Sequence, residues 1–218
     1  MVDVAVPERI ARLPHDDLGR PIPWFLMRFD DDRPVDFRFV DADKIGIAIR
    51  DGRCWVCGER FQRANGGARL FTFLVGPLAL FNRTTGEPPM HRTCALYTLR
   101  SCPFLMTPAR RRRTSNLPEN RYMPGIPILD NPGVVVAWMC RRYDVDTLPD
   151  GGRLFRLPYP SALYVYAGGL PALRDQLDAA LDVAESRARA ALVADRTEPA
   201  DIEATVKGAR AMTKARLR

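Results

Sequence analysis

Cys54-Trp55-Val56-Cys57-Gly58, followed after a long loop by Pro88-Pro89-Met90-His91-Arg92-Thr93-Cys94, is the stretch around which the rest of the chain is arranged. Cys54 and Cys57, with two residues between them on a tight turn, bring two thiolates to one metal ion, and Gly58 permits a backbone conformation that a side chain hinders. His91 and Cys94 stand at i and i+3, positions that share a face on a helix, so both reach the same ion. Pro88 and Pro89 fit just before or within the first helical turn, where a missing N–H costs little. Cys54, Cys57, His91 and Cys94 thus supply three thiolates and one imidazole, a donor set suited to tetrahedral Zn2+.

Cys57 and His91 are separated by 33 residues. This loop holds a turn signal at Asn65-Gly66-Gly67 and a strand-like run from Leu70 to Val75. Knuckle, hairpin, then helix N-terminus is the layout of a treble-clef finger, with zinc as its structural cofactor. Cys102 is the rival fourth ligand. It lies eight residues past Cys94, about 80° round a helix and two turns along it. His91 is therefore preferred, and Cys102 reads as a core thiol. Ordinary buried cysteines with a satisfied core histidine are the competing account of the set. Trp55, between the first two cysteines, either covers the metal or points to solvent.

The chain has 218 residues, enough for a core that needs no staples. It is 46% hydrophobic and 27% charged, as soluble globular proteins are. No apolar run has the length of a membrane span. Five cysteines, an odd number, and no signal-peptide pattern over Met1–Arg20 point to the reducing cytoplasm. A net charge of +7 and an isoelectric point near 9.5 permit binding to nucleic acid or another acidic surface.

The fold class expected is α+β: a treble-clef-like zinc-binding core with antiparallel strands and a C-terminal helical segment. Residues 1–23, punctuated by Pro7, Pro14, Pro21 and Pro23, read as an extended arm, with His15 as a surface histidine. Residues 24–170 form the zinc-centred domain. Trp24–Phe29 and Val35–Phe39 suggest a hairpin closed by Asp30-Asp31-Asp32, a solvated turn without the spacing of a calcium loop. Ala42–Arg50 reads as a helix capped near Asp41 or Asp43. A second helix runs from about Pro89 to Ser101 and stops before Pro103. Val134–Cys140 is apolar on both alternating faces and suits a doubly covered strand. With Arg153–Arg156 and Leu163–Tyr166 it is expected to form one antiparallel sheet.

Residues 171–218 are the C-terminal helices. Pro171 is expected to open the first, in which Leu173, Leu177, Leu181, Ala184, Ala188 and Leu192 follow helical spacing. Thr197-Glu198-Pro199 begins the second. Its apolar face is thin, so little packing is expected of it. Lys207, Arg210, Lys214 and Arg218 make a basic stripe along it. Arg110, Arg111, Arg112 and Arg113 form a mobile positive loop, read with equal weight as a phosphate-contacting patch or a solvated linker.

The segments Asp36-Phe37-Arg38, Cys54–Gly58, Gly76-Pro77, Pro88–Ala95 and Cys102-Pro103-Phe104-Leu105 together resemble a group of uncharacterised bacteriophage and prophage proteins. These carry the same C-x2-C-G … P-P-x-H-x2-C-A … C-P-F-L run. The similarity spans about Pro21 to Leu105 and is looser through Asn131–Trp138 and Leu154–Tyr166. It implies a zinc-bearing phage-type protein and no particular activity. It includes Cys102, which leaves that residue's part in the site open.

Two functions are compared. One is a non-catalytic zinc-stabilised protein that contacts nucleic acid or a host protein, with no small-molecule substrate. The other is a metal-dependent nuclease of the treble-clef, HNH-like type. The nuclease requires a histidine general base besides the ligands, and only His15 remains once His91 is assigned to the metal. A zinc deaminase requires H-x-E ahead of P-C-x2-C, and here the order is reversed.

Overall fold

The computed structural model describes residues 5–28, 35–62, 69–108, 110–112, 115 and 129–218. The chain is α+β, with two antiparallel sheets and a helical C-terminal segment. The all-apolar run at Val134–Cys140 lies at its centre. Strand β3 (Val135–Cys140) is buried at every position. Strands β1 (Phe71–Val75) and β6 (Ala162–Ala167) pair with it on either side, and β7 (Leu170–Pro171) closes the sheet beyond β6. Phe73 lies opposite Trp138 and Trp138 opposite Leu163, so these three share one face. Leu74, Ala137 and Tyr164 are opposed in the same way and share the other.

The second sheet is built from β2 (Thr84–Thr85), β5 (Arg153–Arg156) and β4 (Asp144–Thr147), with β5 in the middle. It meets the Phe73 face through Phe155, 5.9 Å from Phe73 between ring centroids, and through Tyr143, 4.9 Å from Phe71. This corrects the expectation that Arg153–Arg156 joins β3 and β6. A strand with one fully buried apolar side chain, Phe155, cannot fill a position covered on both faces as β3 can. Instead Arg156, opposite Asp144 in the register, reaches diagonally to the Asp146 carboxylate at 3.3 Å.

Helix α1 (Glu8–Ala11) interrupts the N-terminal arm, which was expected to be extended throughout, and buries Ile10. The expected hairpin at 24–40 is reduced to a single bridge between Leu26 and Val40; the aspartate turn lies outside the described residues, as does Asn65-Gly66-Gly67. Helix α2 (Ala42–Asp51) starts where the Asp41 carboxylate accepts the Asp43 N–H, and ends at Gly52 with φ +61°. Helices α3 (Ala79–Asn82), α4 (Arg92–Ser101) and α5 (Pro103–Met106) follow. Helix α4 lies on the Tyr164 face of the first sheet, with the Arg92 guanidinium 5.6 Å from the Tyr164 ring.

Helix α6 (Arg174–Ala194) starts later than expected, because Pro171 is part of β7. Leu177, Leu181, Ala184 and Ala188 are buried. Helix α7 (Pro199–Arg216) packs on α3, α6 and β6 and buries Ile202, Val206, Ala209, Met212 and Thr213. Beyond it Leu217 bridges to Leu163 in parallel, and the Arg218 N–H donates to the Leu163 carbonyl at 3.0 Å. The thin apolar face expected to contribute little is therefore fully used. No helix among the described residues is long and apolar enough to cross a membrane.

Candidate metal centre

The first pair of candidate ligands is held by a short backbone loop directly after α2. Arg53 bridges to Arg60, the Cys54 N–H donates to the Glu59 carbonyl at 2.8 Å, and the Gly58 N–H donates back to the Cys54 carbonyl at 2.9 Å. The Arg53 guanidinium donates to the Gly58 carbonyl at 3.0 Å. Gly58 has φ +73°, and a Cβ there would come within 2.5 Å of the Trp24 ring. Both strain and collision therefore select glycine. Gly58→Ala is expected to cost more than the ~1 kcal/mol of an ordinary glycine replacement and to lower zinc retention. A melting temperature and metal content equal to wild type would contradict this. Trp55 neither points to solvent nor stands free. It is 3% exposed and stacks on Phe25 at 4.9 Å with an 11° interplanar angle.

The second pair is placed by the sheet. Met90 and Thr72 of β1 exchange both backbone hydrogen bonds, at 2.8 and 3.1 Å, and the Trp55 N–H donates to the Pro89 carbonyl at 3.0 Å. The knuckle, β1 and the start of α4 are thereby tied together. His91 is the N-cap of α4, and its backbone N–H donates to Cys54 Sγ at 3.3 Å. Cys94 sits in the first turn, where the positive end of the helix dipole favours a thiolate. Pro88 and Pro89 precede the helix. Among the described residues the Thr72–Met90 bridge is the direct pairing of β1 with the ligand segment, and β1 joins one sheet and β2 the other.

The four side chains converge. Cys54 Sγ, Cys57 Sγ, Cys94 Sγ and a His91 ring nitrogen lie within 4.8 Å of one another. His91 Nδ1 is 3.4 Å from Cys57 Sγ and 3.9 Å from Cys94 Sγ. A tetrahedral zinc ion with its usual bond lengths sets such donor pairs about 3.6–3.8 Å apart. Cys54 and Cys94 are 0% exposed and Cys57 is 6% exposed. Burial opposes charge on Cys54, but hydrogen bonds from the Cys57 and Cys94 thiols and from backbone N–H groups hold its thiol well below the ordinary range. The same sharing pushes Cys94 up. Three buried thiols competing for one negative charge are the arrangement that a divalent cation relieves. The residues fit zinc, with His91 Nδ1 as the nitrogen turned toward the sulfurs.

Cys102 is the C-cap of α4, about 12 Å along the axis from Cys94 at 1.5 Å per residue. It is not among the converging donors. Cys140 lies on β3, and burial pushes its thiol up to about 12, as befits a packed, unreactive side chain. His15 is exposed and joins a lone bridge to Pro21.

The basic segments are less free than their composition suggests. Arg110 to Arg112 make backbone pairings with residues 129–131. The Arg112 N–H donates to the Leu129 carbonyl, the Asn131 N–H donates to the Arg110 carbonyl, and Arg111 bridges to Asp130. Arg112 also reaches Glu87 at 3.6 Å and lies 4.7 Å from the Phe104 ring. Arg113 is outside the described residues. Lys207 and Lys214 on α7 and Arg218 beyond it are exposed, but Arg210 turns into α6. It meets Asp182 at 2.7 Å and Glu185 at 2.8 Å, and Arg189 joins the same carboxylates' network through Glu185. The stripe is thus interrupted at its middle. Sequence reasoning missed this network, although Glu185 and Arg189 at i and i+4 were a readable sign of it.

No protein-family model, curated protein or solved structure matches the chain.

Proposed function

We propose that this is a zinc-stabilised, non-catalytic nucleic-acid-binding protein, built on a treble-clef-like centre and of the phage type its motif resembles. The convergence of four zinc donors within 4.8 Å carries the reading. A Cys3His set fills the coordination sphere, leaves no position for a reacting water, and makes the metal a source of folding energy. The net charge of +7 favours an anionic partner, and nucleic acid is preferred to a host protein on that ground. The nuclease alternative gains nothing from the geometry, with His91 turned to the sulfurs and His15 in the N-terminal arm.

Metal analysis of protein prepared without chelator is expected to give one zinc per chain, and retention on nucleic acid is expected to fall steeply with salt. Metal content far below one equivalent would sink the centre. Zinc-loaded protein that ignores nucleic acid at about 50 mM salt would leave the centre standing and remove the partner.

A further inference from the structure

Residues 88–118 contain six arginines and no acidic residue, and they include the whole of α4. Residues 157–173, which carry β6 and β7, contain three tyrosines and no charged residue. The fold sets α4 of the first against β6 and the β6–β7 turn of the second. Arg92 and Arg100 are both exposed on α4, and neither has a carboxylate partner among the described residues. They are eight residues apart, about 80° round the helix and about 12 Å along it. Tyr164 and Tyr166 lie on the same face of β6, half-buried, about 7 Å apart along the strand.

The two sets are in contact. The Arg92 guanidinium lies over the Tyr164 ring at 5.6 Å. Burial pushes the Tyr166 phenol up, and the charges of Arg92 and Arg100 both oppose that push, so both act at Tyr166. At the far end, a Cβ on Gly169 would come within 3.1 Å of the Leu99 carbonyl, so the β6–β7 turn abuts the C-terminal end of α4. By contrast the α7 stripe has Arg210 neutralised by Asp182 and Glu185.

We propose that Arg92 and Arg100 of α4, with Tyr164 and Tyr166 of β6 beside them, form a binding surface for single-stranded nucleic acid. This deepens the nucleic-acid reading above and rests on it. With about 12 Å between them along the helix, Arg92 and Arg100 reach different phosphates of one strand. No acidic neighbour in either segment cancels their field. Tyrosines on alternate positions of a strand offer ring faces and hydroxyls to successive bases, and base–aromatic contact needs bases that are not already stacked in a duplex. The pairing of unopposed arginine with tyrosine therefore favours a single strand over a duplex. The zinc centre would serve this surface by fixing the start of α4, one residue before Arg92.

The test is fluorescence anisotropy on the full-length, zinc-loaded chain, with a labelled oligothymidine, the matching duplex and heparin as ligands. Zinc content is measured for every variant. Tyr166→Ala is expected to weaken oligothymidine binding on the order of 10- to 100-fold while leaving heparin unchanged. Arg100→Gln should weaken all three and lower the single-strand salt slope by about 0.7. Lys207→Gln/Lys214→Gln should leave oligothymidine binding as it is. If Arg100→Gln and Tyr166→Ala bind oligothymidine like wild type, the surface is wrong and the nucleic-acid reading survives elsewhere on the protein. Equal binding of single strand, duplex and heparin, all insensitive to Tyr166→Ala, would overturn base contact. If wild type binds no oligonucleotide at about 50 mM salt, both the surface and the nucleic-acid reading fall, and a protein partner takes their place.

Discussion

Cys54→Ser, Cys57→Ser, Cys94→Ser and His91→Ala are each expected to release the zinc and unfold the body of the protein. Structural zinc contributes on the order of 10 kcal/mol to folding, against a typical net stability of about 5–15 kcal/mol. The loss does not stay local. Without the metal, Cys54, Cys57 and Cys94 are buried polar thiols around one shared charge. The backbone links that depend on their placement, from Trp55 to Pro89 and from His91 to Cys54, lose their support. Cys102→Ser is the control. It changes a half-buried thiol at the other end of α4 and is expected to keep one zinc and cost at most a few kcal/mol. Circular dichroism with metal analysis on the same samples checks both halves. A Cys102→Ser protein without zinc, beside a His91→Ala protein that keeps it, would show the ligand set to be wrong.

Deleting residues 197–218 is expected to destroy cooperative folding, although the sequence of that helix alone suggests a dispensable tail. Ile202, Val206 and Met212 are each at most 7% exposed, and burying such side chains contributes about 1.5–3 kcal/mol apiece. Their sum alone is comparable with the net stability of a domain. The deletion also uncovers the faces of α3 and α6 that α7 covers, takes the Arg210 partner from Asp182 and Glu185, and leaves the Leu163 carbonyl without the Arg218 N–H. Urea denaturation of the truncated chain is the measurement. A single transition with the wild-type midpoint and slope would show α7 to be an appendage.

What could be read beforehand was whatever depends on residue type at short range. The C-x2-C-G and P-P-x-H-x2-C spacings are local statements about donors, and the structure brings all four donors together. Val134–Cys140 announced its depth because an apolar run with no polar face has to be covered on both sides. The start of α2 followed from a capping aspartate, Asp41 or Asp43, and the structure uses Asp41. What was hidden depends on long-range pairing. Asp144–Thr147 has no apolar run to announce it, and it becomes a strand by pairing with Arg153–Arg156. Arg210 has the same chemistry whether it faces solvent or the α6 carboxylates, and its position on the helix does not separate the two. The small residues Ala209 and Thr213 gave α7 a weak apolar signal, yet small residues are what let two helices approach closely. Arg92 and Arg100 passed unremarked because neither belongs to a run of like charges. Their setting emerges only when β6 is laid against α4.

The placing of β1 and β2 has a topological consequence. Both strands lie within the 33 residues between Cys57 and His91, yet β1 belongs to one sheet and β2 to the other. Once the ion holds both ends, that segment is a closed ring threaded through the two sheets. Closing a ring of this length costs about 3 kcal/mol of chain entropy, and a chain that captures zinc while still disordered has met that cost before any strand pairs. The sheets then assemble as two margins of a single loop, and neither can drift from the other without stretching it.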